Sequence, residues 1–239
     1  MALGILIPTT IFAIIAVAVA AAAFVVTRWR SGERGLVTFG TVLVAYFSLM
    51  SLVSFLVLVS GLTAGVKAGL TIPAGRAFSY WTPPRTRFAP AIPPGETGKP
   101  ADLKRQSVPQ EEIDRQEREV ERQFQDDLLQ GATLTIVGGL VWAAHGYGRR
   151  RVSGVDPGAA AFFGRSYTTI ALAIFGIVGI IALPVGVYEI LRYVIIQPDE
   201  FGFSGRQAPG GTLATAMVFV PIWLYYLGTV VRRSGQESS

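Results

Sequence analysis

Residues 36–70 read LVTFGTVLVAYFSLMSLVSFLVLVSGLTAGVKAGL, and the only charged side chain among them is Lys67. An α-helix that crosses the hydrocarbon core of a bilayer needs about 20 consecutive apolar residues, so this run is more than long enough. It lacks the polar face that a helix of a soluble domain shows with a period of 3.6 residues. The run therefore predicts a membrane-spanning helix.

Four further apolar runs occupy residues 3–26, 128–147, 167–196 and 212–231. Charged residues make up 15% of the 239-residue chain, whereas about 25% is usual for soluble domains. The predicted fold class is therefore all-α, a polytopic membrane helix bundle with about five transmembrane helices and one extramembrane, amphipathic and charged helix. The first run is predicted to be a retained helix and not a signal peptide, because its arginines follow the apolar core.

The order of these runs predicts four segments. Residues 1–27 form an N-terminal transmembrane helix, and residues 36–148 form a first helix pair that contains a long insertion at 71–127. Residues 149–233 form a second helix pair, and residues 234–239 are a tail. The insertion is the one sizeable piece that is predicted to lie outside the membrane.

Arginine is unevenly distributed between the predicted links. Nine arginines lie in the links of one side and in the C-terminal tail, whereas the short link 197–211 on the other side carries only Arg206. Because cytoplasmic loops are enriched in Lys and Arg, the N-terminus is predicted outside and the C-terminus in the cytoplasm, with the chain in the cell (inner or plasma) membrane. The nine arginines are Arg28, Arg30, Arg34, Arg149, Arg150, Arg151, Arg165, Arg232 and Arg233.

The net charge of +5 does not indicate nucleic-acid binding. A nucleic-acid-binding domain gathers its basic residues on one soluble face, together with stacking aromatics, but here the arginines flank apolar runs. The chain has no cysteine, which excludes disulfides, thiolate metal sites and thiol nucleophiles. The predicted partners are membrane lipid and other membrane protein subunits, with no nucleic acid.

The insertion at 71–127 divides into a proline-rich half, predicted to be extended, and a charged half. The charged half is predicted to be a helix that starts with a capping box of Ser107 and Gln110. Residues 109–128 carry eight acidic and three basic residues, a net charge of −5, and residues 63–108 carry seven basic and two acidic residues, a net charge of +5. The charged helix is either a solvated extension of the third membrane helix or a docking surface, for a partner or for the protein's own linker.

An internal repeat relates the two helix pairs. The segment Gly61-Leu62-Thr63-Ala64-Gly65-Val66 aligns with Ala182-Leu183-Pro184-Val185-Gly186-Val187, and Val141-Trp142 aligns with Ile222-Trp223. Each pair would be a helical hairpin that enters the membrane from the same side. The alignment therefore predicts a parallel repeat.

The motifs Arg165-Ser166-Tyr167, Pro221-Ile222-Trp223 and Leu140-Val141-Trp142, together with His145, resemble an uncharacterised bacterial membrane family, a domain of unknown function that consists of repeated transmembrane helix pairs. In that family one helix begins near an Arg-x-Tyr-like start, and the next carries a small-or-Pro, apolar, Trp element before basic residues. The resemblance covers at most residues 35–233. It implies a membrane helix bundle and carries no activity over to this chain.

The sequence contains no GxSxG, HExxH, Walker, CxxC or GxGxxG motif, so the chain is predicted not to be an enzyme. No metal site and no cofactor are predicted. The single histidine, His145, is the candidate cofactor-binding residue for a haem or a chlorophyll-type pigment, because imidazole is a common axial ligand. Glu189 and Arg192, three residues apart near the end of the fourth run, are predicted to form an ion pair at the membrane interface.

Small residues form two ridges on the predicted helices. Gly61, Gly65 and Gly69 recur every four residues in the second run, and Ala182 and Gly186 have the same spacing in the fourth. Such spacing lets two helix backbones approach closely inside a membrane. These five residues are therefore predicted helix-packing positions, either within this chain or against another one.

Three functions are compatible with these features. The leading hypothesis is a non-catalytic accessory or scaffold subunit of a larger membrane protein complex, such as an energy-converting (respiratory or photosynthetic) one. The second is a small oligomeric transporter or channel-like protein, which is disfavoured because no ionisable group lies at a predicted mid-membrane position. The third is a pigment or haem carrier that uses His145.

Overall fold

The computed structural model describes residues 38–80, 86–87, 106–107, 109–195 and 208–237. Within them, four helices are long and apolar enough to cross a membrane, which confirms the predicted all-α membrane helix bundle. The predicted first span at residues 3–26 lies outside the described residues. The elements are α1 (Phe39–Gly69), α2 (Thr71–Ala74), α3 (Arg76–Ser79), β1 (Thr86–Arg87), β2 (Gln106–Ser107), α4 (Gln110–Val152), α5 (Pro157–Ile195) and α6 (Gly210–Glu237).

The four long helices, α1, α4, α5 and α6, each cover one predicted apolar run, and two of them begin well before it. α4 starts at Gln110, so the charged half of the insertion and the third apolar run form one uninterrupted helix of 43 residues. α5 starts at Pro157 because Asp156 caps it: the backbone N–H of Ala159 donates to Asp156 Oδ1 over 3.0 Å. The predicted boundary between residues 148 and 149 therefore falls inside α4, which ends at Val152.

Two predictions for the insertion fail among the described residues, the first of them only at the start of the proline-rich half. The remainder of that half lies outside the described residues apart from β1, which is extended. The first residues of the insertion are not extended but form the short helices α2 and α3. Pro73 is tolerated there because it lies in the first turn of α2, where a backbone N–H would have no helical acceptor. The capping box is also not formed, since Pro109 precedes α4 without a side-chain hydrogen bond. Ser107 lies instead in β2, where it pairs with Thr86 of β1.

The four long helices pack as two antiparallel hairpins. α1 packs along α4, and α5 packs along α6, while α1 also contacts both α5 and α6. The four-residue turn between α4 and α5 lies beside the start of α1, where Thr41 Oγ1 donates a 2.6 Å hydrogen bond to Asp156 Oδ2. We call this end of the bundle the turn end.

The main buried cluster joins α1, α5 and α6. Its aromatic centre is the stacked pair Phe175 and Tyr226, whose ring centroids lie 6.2 Å apart. α4 contributes no residue to this cluster, so α4 is attached to the bundle mainly through α1. The members of the cluster are Leu52, Leu56, Val59, Tyr167, Ala171, Ile174, Phe175, Phe219 and Tyr226.

α1 and α4 come into backbone contact at glycines. A Cβ atom placed on Gly61 would lie 2.5 Å from the backbone N of Thr135, and one placed on Gly138 would lie 2.7 Å from the backbone N of Leu58. These separations are shorter than side-chain carbons tolerate, and the neighbouring atoms belong to a helix backbone that cannot move aside. Glycine is therefore required at both positions for the observed packing.

Only part of the predicted ridge on α1 is used in this contact. Gly65 contributes its backbone, since a Cβ on Gly131 of α4 would lie 2.7 Å from the Gly65 nitrogen. A Cβ on Gly65 itself, or on Gly69, would meet nothing within 4 Å. The contact therefore depends on Gly61 from α1 and on Gly131 and Gly138 from α4.

The second ridge lies in the α5–α6 hairpin, whose packing is looser. Ala182 is buried, and a Cβ on Gly186 would be in ordinary van der Waals contact, 3.7 Å from the backbone N of Leu213. These positions therefore favour small residues without demanding glycine.

The contacts support the predicted repeat. The alignment places Phe55 on Gly176 and Trp142 on Trp223. In the first hairpin the rings of Phe55 and Trp142 lie 5.5 Å apart, and in the second a Cβ on Gly176 would lie 2.9 Å from Trp223 Nε1. Phe55 thus faces Trp142 in the first hairpin as Gly176 faces Trp223 in the second. The helices of the two hairpins therefore pack with the same relative alignment along their axes.

Gly61→Ala is expected to lower the stability of the bundle, whereas Gly65→Ala is its matched control. Both changes add one methyl group to the same helix, but only the methyl at position 61 meets the α4 backbone. Overpacking of this kind costs about 1–3 kcal/mol. The melting temperature of the purified chain in detergent measures the difference, and equal melting temperatures for the two variants would contradict the observed packing.

Candidate functional site

Beyond the end of α1 opposite to the turn end, the chain folds back across the bundle. We call residues 70–80, which include α2 and α3, the strap, and residues 110–128 of α4 the extension. The strap reverses direction at Gly75, whose φ of +81° lies in a region that side-chain-bearing residues rarely adopt. This turn brings the strap against the extension, at what we call the strap end of the bundle.

Two ion pairs join the strap end of α1 and the strap itself to the extension. Lys67 Nζ donates a 2.6 Å hydrogen bond to Asp127 Oδ2, and the two side chains are only 24% and 17% exposed. Arg76 pairs with Glu121, and both are considerably more exposed. Exposed pairs contribute about 0–1 kcal/mol, so the half-buried Lys67–Asp127 pair is the stronger link.

Aromatic rings fill the space between the two pairs. Tyr80 is 1% exposed, and the Lys67 Nζ atom lies 4.4 Å from the centroid of its ring. The Tyr80 ring meets the Phe124 ring edge-on at 6.3 Å, and Arg76 Cζ lies 5.5 Å from the Phe124 centroid. Each cation is thus held between a carboxylate and an aromatic face.

The hydroxyl group of Tyr80 is buried and has no hydrogen-bond partner among the described residues. Burial, and secondarily the negative charge of Asp127, raise the pKa of the Tyr80 hydroxyl well above its usual value. The raised pKa keeps the phenol in its neutral form.

The strap also touches the second hairpin. Ser79 Oγ donates a hydrogen bond to the backbone O of Lys67 over 2.9 Å. Ser79 also packs closely against the start of α6, where a Cβ placed on Gly210 would lie 2.7 Å from the Cα of Ser79. The ring of Phe78 packs edge-on against Tyr193 of α5 at 5.3 Å. The strap therefore holds all four long helices together at one end.

The extension has an inward and an outward face. Its inward side includes the buried Val120 and the two carboxylates that pair with Lys67 and Arg76. The acidic helix thus docks the protein's own basic linker, one of the readings that the charge pattern suggested. The outward face is exposed and carries charges of both signs, in the order Glu111, Arg115, Arg118, Glu119, Arg122 and Asp126.

Glu189 and Arg192 lie one turn apart near the end of α5. Glu189 Oε2 is buried and has no hydrogen-bond partner among the described residues, so the predicted pairing with Arg192 does not satisfy this oxygen.

His145 lies on α4 near the turn end and is partly buried. Its Nδ1 is 2.8 Å from the backbone O of Val141, and a carbonyl only accepts, so Nδ1 carries a hydrogen and donates it to that oxygen. The ring lies about 6 Å from those of Tyr46 and Phe47. The described residues contain no group of three or more His, Asp or Glu side chains that would hold a metal ion.

Sequence reasoning missed the residues that matter most at the strap end. Tyr80 and Gly75 lie in a stretch predicted to be extended, and their roles depend on a chain reversal that no periodicity reveals. Gly131 and Gly138, by contrast, are seven residues apart in the third apolar run, a spacing that places two residues on one helix face. That spacing was the available signal for the α1–α4 contact.

No family model, no curated protein and no solved structure matches this chain. The class of the protein rests on its fold and its candidate site. It is a polytopic α-helical membrane protein in which one membrane helix continues into a charged extension. The strap of the same chain packs against this extension.

Asp127→Asn is expected to destabilise the strap end, and Asp126→Asn is the matched control. Both changes remove one negative charge from adjacent residues, but Asp126 is exposed on the outward face and Asp127 holds Lys67. Leaving a half-buried ammonium without its carboxylate costs about 1–3 kcal/mol. Thermal unfolding in detergent compares the two, and a larger effect at position 126 would show that the ion pair is not a stabilising link.

Tyr80→Phe is expected to leave stability unchanged or to raise it slightly, because the change removes a buried hydroxyl that has no partner. Tyr80→Ala should instead cost about 3–5 kcal/mol through the cavity that it leaves between Lys67 and Phe124. The same unfolding measurement distinguishes the two. A strong loss in the Phe variant would mean that the hydroxyl has a role of its own.

Proposed function

We propose that this chain is a non-catalytic accessory or scaffold subunit of a larger complex in the cell (inner or plasma) membrane, and that a partner subunit binds the extension of α4. α4 has 43 residues, which at 1.5 Å per residue span about 65 Å, roughly twice the hydrocarbon thickness of a bilayer. Its charged half therefore projects beyond the membrane. The non-catalytic part of the proposal rests on the sequence, which contains none of the catalytic motifs searched for.

The observation that carries the proposal is the one-sided attachment of the extension. Ion pairs and aromatic contacts hold its inward face, while the outward face is exposed along its whole length. A projecting helix that is already held in position loses little further freedom when a partner binds, which favours association.

The charge pattern of the outward face suggests the kind of partner. The face carries three carboxylates and three arginines interspersed along the helix, and these six side chains have no net charge. A mixed charge pattern gives register and specificity more than raw affinity. A partner with the complementary charge pattern, supplied by a helix or a loop outside the membrane, fits this surface.

The proposed orientation puts the turn end in the cytoplasm and the extension outside, with the N-terminus outside and the C-terminus inside. Six arginines lie at the turn end, against one carboxylate, Asp156, among the side chains that the structure describes there. This imbalance follows the positive-inside rule. The arginines are Arg149, Arg150, Arg151, Arg165, Arg232 and Arg233.

Co-purification tests the proposal. The tagged chain is extracted from its native membrane in a mild detergent, and its companions are compared between the wild type and the double variant Glu119→Arg/Asp126→Arg. The variant is expected to lose its companions while keeping its melting temperature, because both residues face outward. Gln116→Arg/Gln123→Arg is the matched control, since it adds arginines to the same helix about a quarter turn away from the outward face.

Retention of the same companions by both double variants would contradict the role of the outward face. A wild-type preparation that contains the chain alone would contradict the scaffold proposal itself.

A further inference from the structure

The transmembrane part of α4 leaves most of its surface without a protein neighbour. Only 11% of its apolar window is buried, compared with 39% for α1 and for α5. Among the described helices, α1 is the only one that packs along it extensively. The side of α4 that points away from α1 is therefore available for another occupant.

This side forms one continuous stripe along the helix. Successive members are three or four residues apart, which places them on a single face, and all are exposed: Leu129 is 70% exposed, Ile136 62% and Leu140 67%. Between Leu140 and Tyr147 the exposed side chains of Ala143 and Ala144 are small. The stripe consists of Leu129, Thr133, Ile136, Leu140, Ala144 and Tyr147.

At the turn end, this apolar stripe ends beside the guanidinium group of Arg151, which is held in place by hydrogen bonds. Arg151 donates to the hydroxyl of Tyr147 from Nε over 2.9 Å and from Nη2 over 2.6 Å, and its Cζ lies 5.2 Å from the Tyr147 ring centroid. These bonds use two of the five N–H groups of the arginine, so the remaining three are left for another acceptor. Arg150, next to it, is also exposed.

We infer that this face of α4 binds a phospholipid with an anionic headgroup. The phosphate is held by Arg150 and Arg151, and the acyl chains lie along Leu140 and Ile136. Arginine and phosphate match in geometry and charge, and an aromatic ring at the level of the headgroups is typical of the membrane interface. In the orientation proposed above the turn end lies at the cytoplasmic leaflet, which is the negatively charged one, so the arginines complement an anionic lipid in particular. The choice of an anionic lipid rests on that proposed orientation, whereas the inference is independent of the proposed role of the extension.

The stabilising effect of lipid measures the interaction. The purified full-length chain is placed in nanodiscs of phosphatidylcholine alone or of phosphatidylcholine with phosphatidylglycerol, and its melting temperature is compared. Phosphatidylglycerol is expected to raise the melting temperature of the wild type, and Arg150→Gln/Arg151→Gln is expected to lose most of that rise. The matched control, Arg232→Gln/Arg233→Gln, removes the same charge at the same end of the bundle and should keep it.

Tyr147→Phe separates a built site from simple charge attraction. This change leaves the net charge unaltered but removes the acceptor that positions Arg151, so the phosphatidylglycerol effect should shrink. Equal loss in the two arginine double variants, or an unchanged effect in both, would overturn the inference.

Two further experiments test whether a lipid, a free phosphate or a protein helix binds this face of α4. Glycerol phosphate in free solution should not reproduce the stabilisation; if it does, the site takes a free phosphate and the lipid assignment is wrong. A spin label on Leu140→Cys, the only thiol in a chain without cysteine, should be accessible to oxygen dissolved in the bilayer. A shielded label would mean that a protein helix covers the face and would also overturn the inference.

Discussion

The backbone contact between α1 and α4 is the constraint on which the first hairpin depends. Lipid is as apolar as the helices themselves, so the hydrophobic effect that drives soluble domains together is weak here and close packing has to replace it. Gly61 and Gly138 allow that packing, because a side chain at either position would strike the opposite backbone. Since α4 takes no part in the main buried cluster, this contact and the strap keep it in the bundle.

A second kind of interaction occurs at the strap end. Lys67 of α1 and Asp127 of α4 form an ion pair whose side chains are only 24% and 17% exposed. The strap connects this pair to both α5 and α6 through Phe78 and Ser79. The strap end is therefore held by polar and aromatic contacts, whereas the glycine contacts further along α1 and α4 depend on the close fit of the two backbones.

Much of the fold follows from the sequence, because a bilayer demands long apolar helices and leaves few alternatives. The four described spans and their order were predictable for that reason, and the repeat of Gly61 on Ala182 was predictable from the matching residues of the two hairpins. The strap was not, since its path depends on a turn at Gly75 and on contacts between residues far apart in the chain. The net charges of the two halves of the insertion predicted the path of the strap better than its prolines did. The positively charged segment does contact the acidic helix, through the ion pairs Lys67–Asp127 and Arg76–Glu121. The outward face of the extension was harder to foresee, because the net charge of −5 comes mostly from acids that point elsewhere.

α4 contains no proline between its first residue, Gln110, and its last, Val152. Prolines are the usual cause of sharp kinks in long helices, so the backbone hydrogen bonds of α4 run without a proline break from the extension to the turn end. A change in the tilt of the extension is therefore passed along the helix towards Tyr147 and Arg151, because no proline kink lies between them to absorb it.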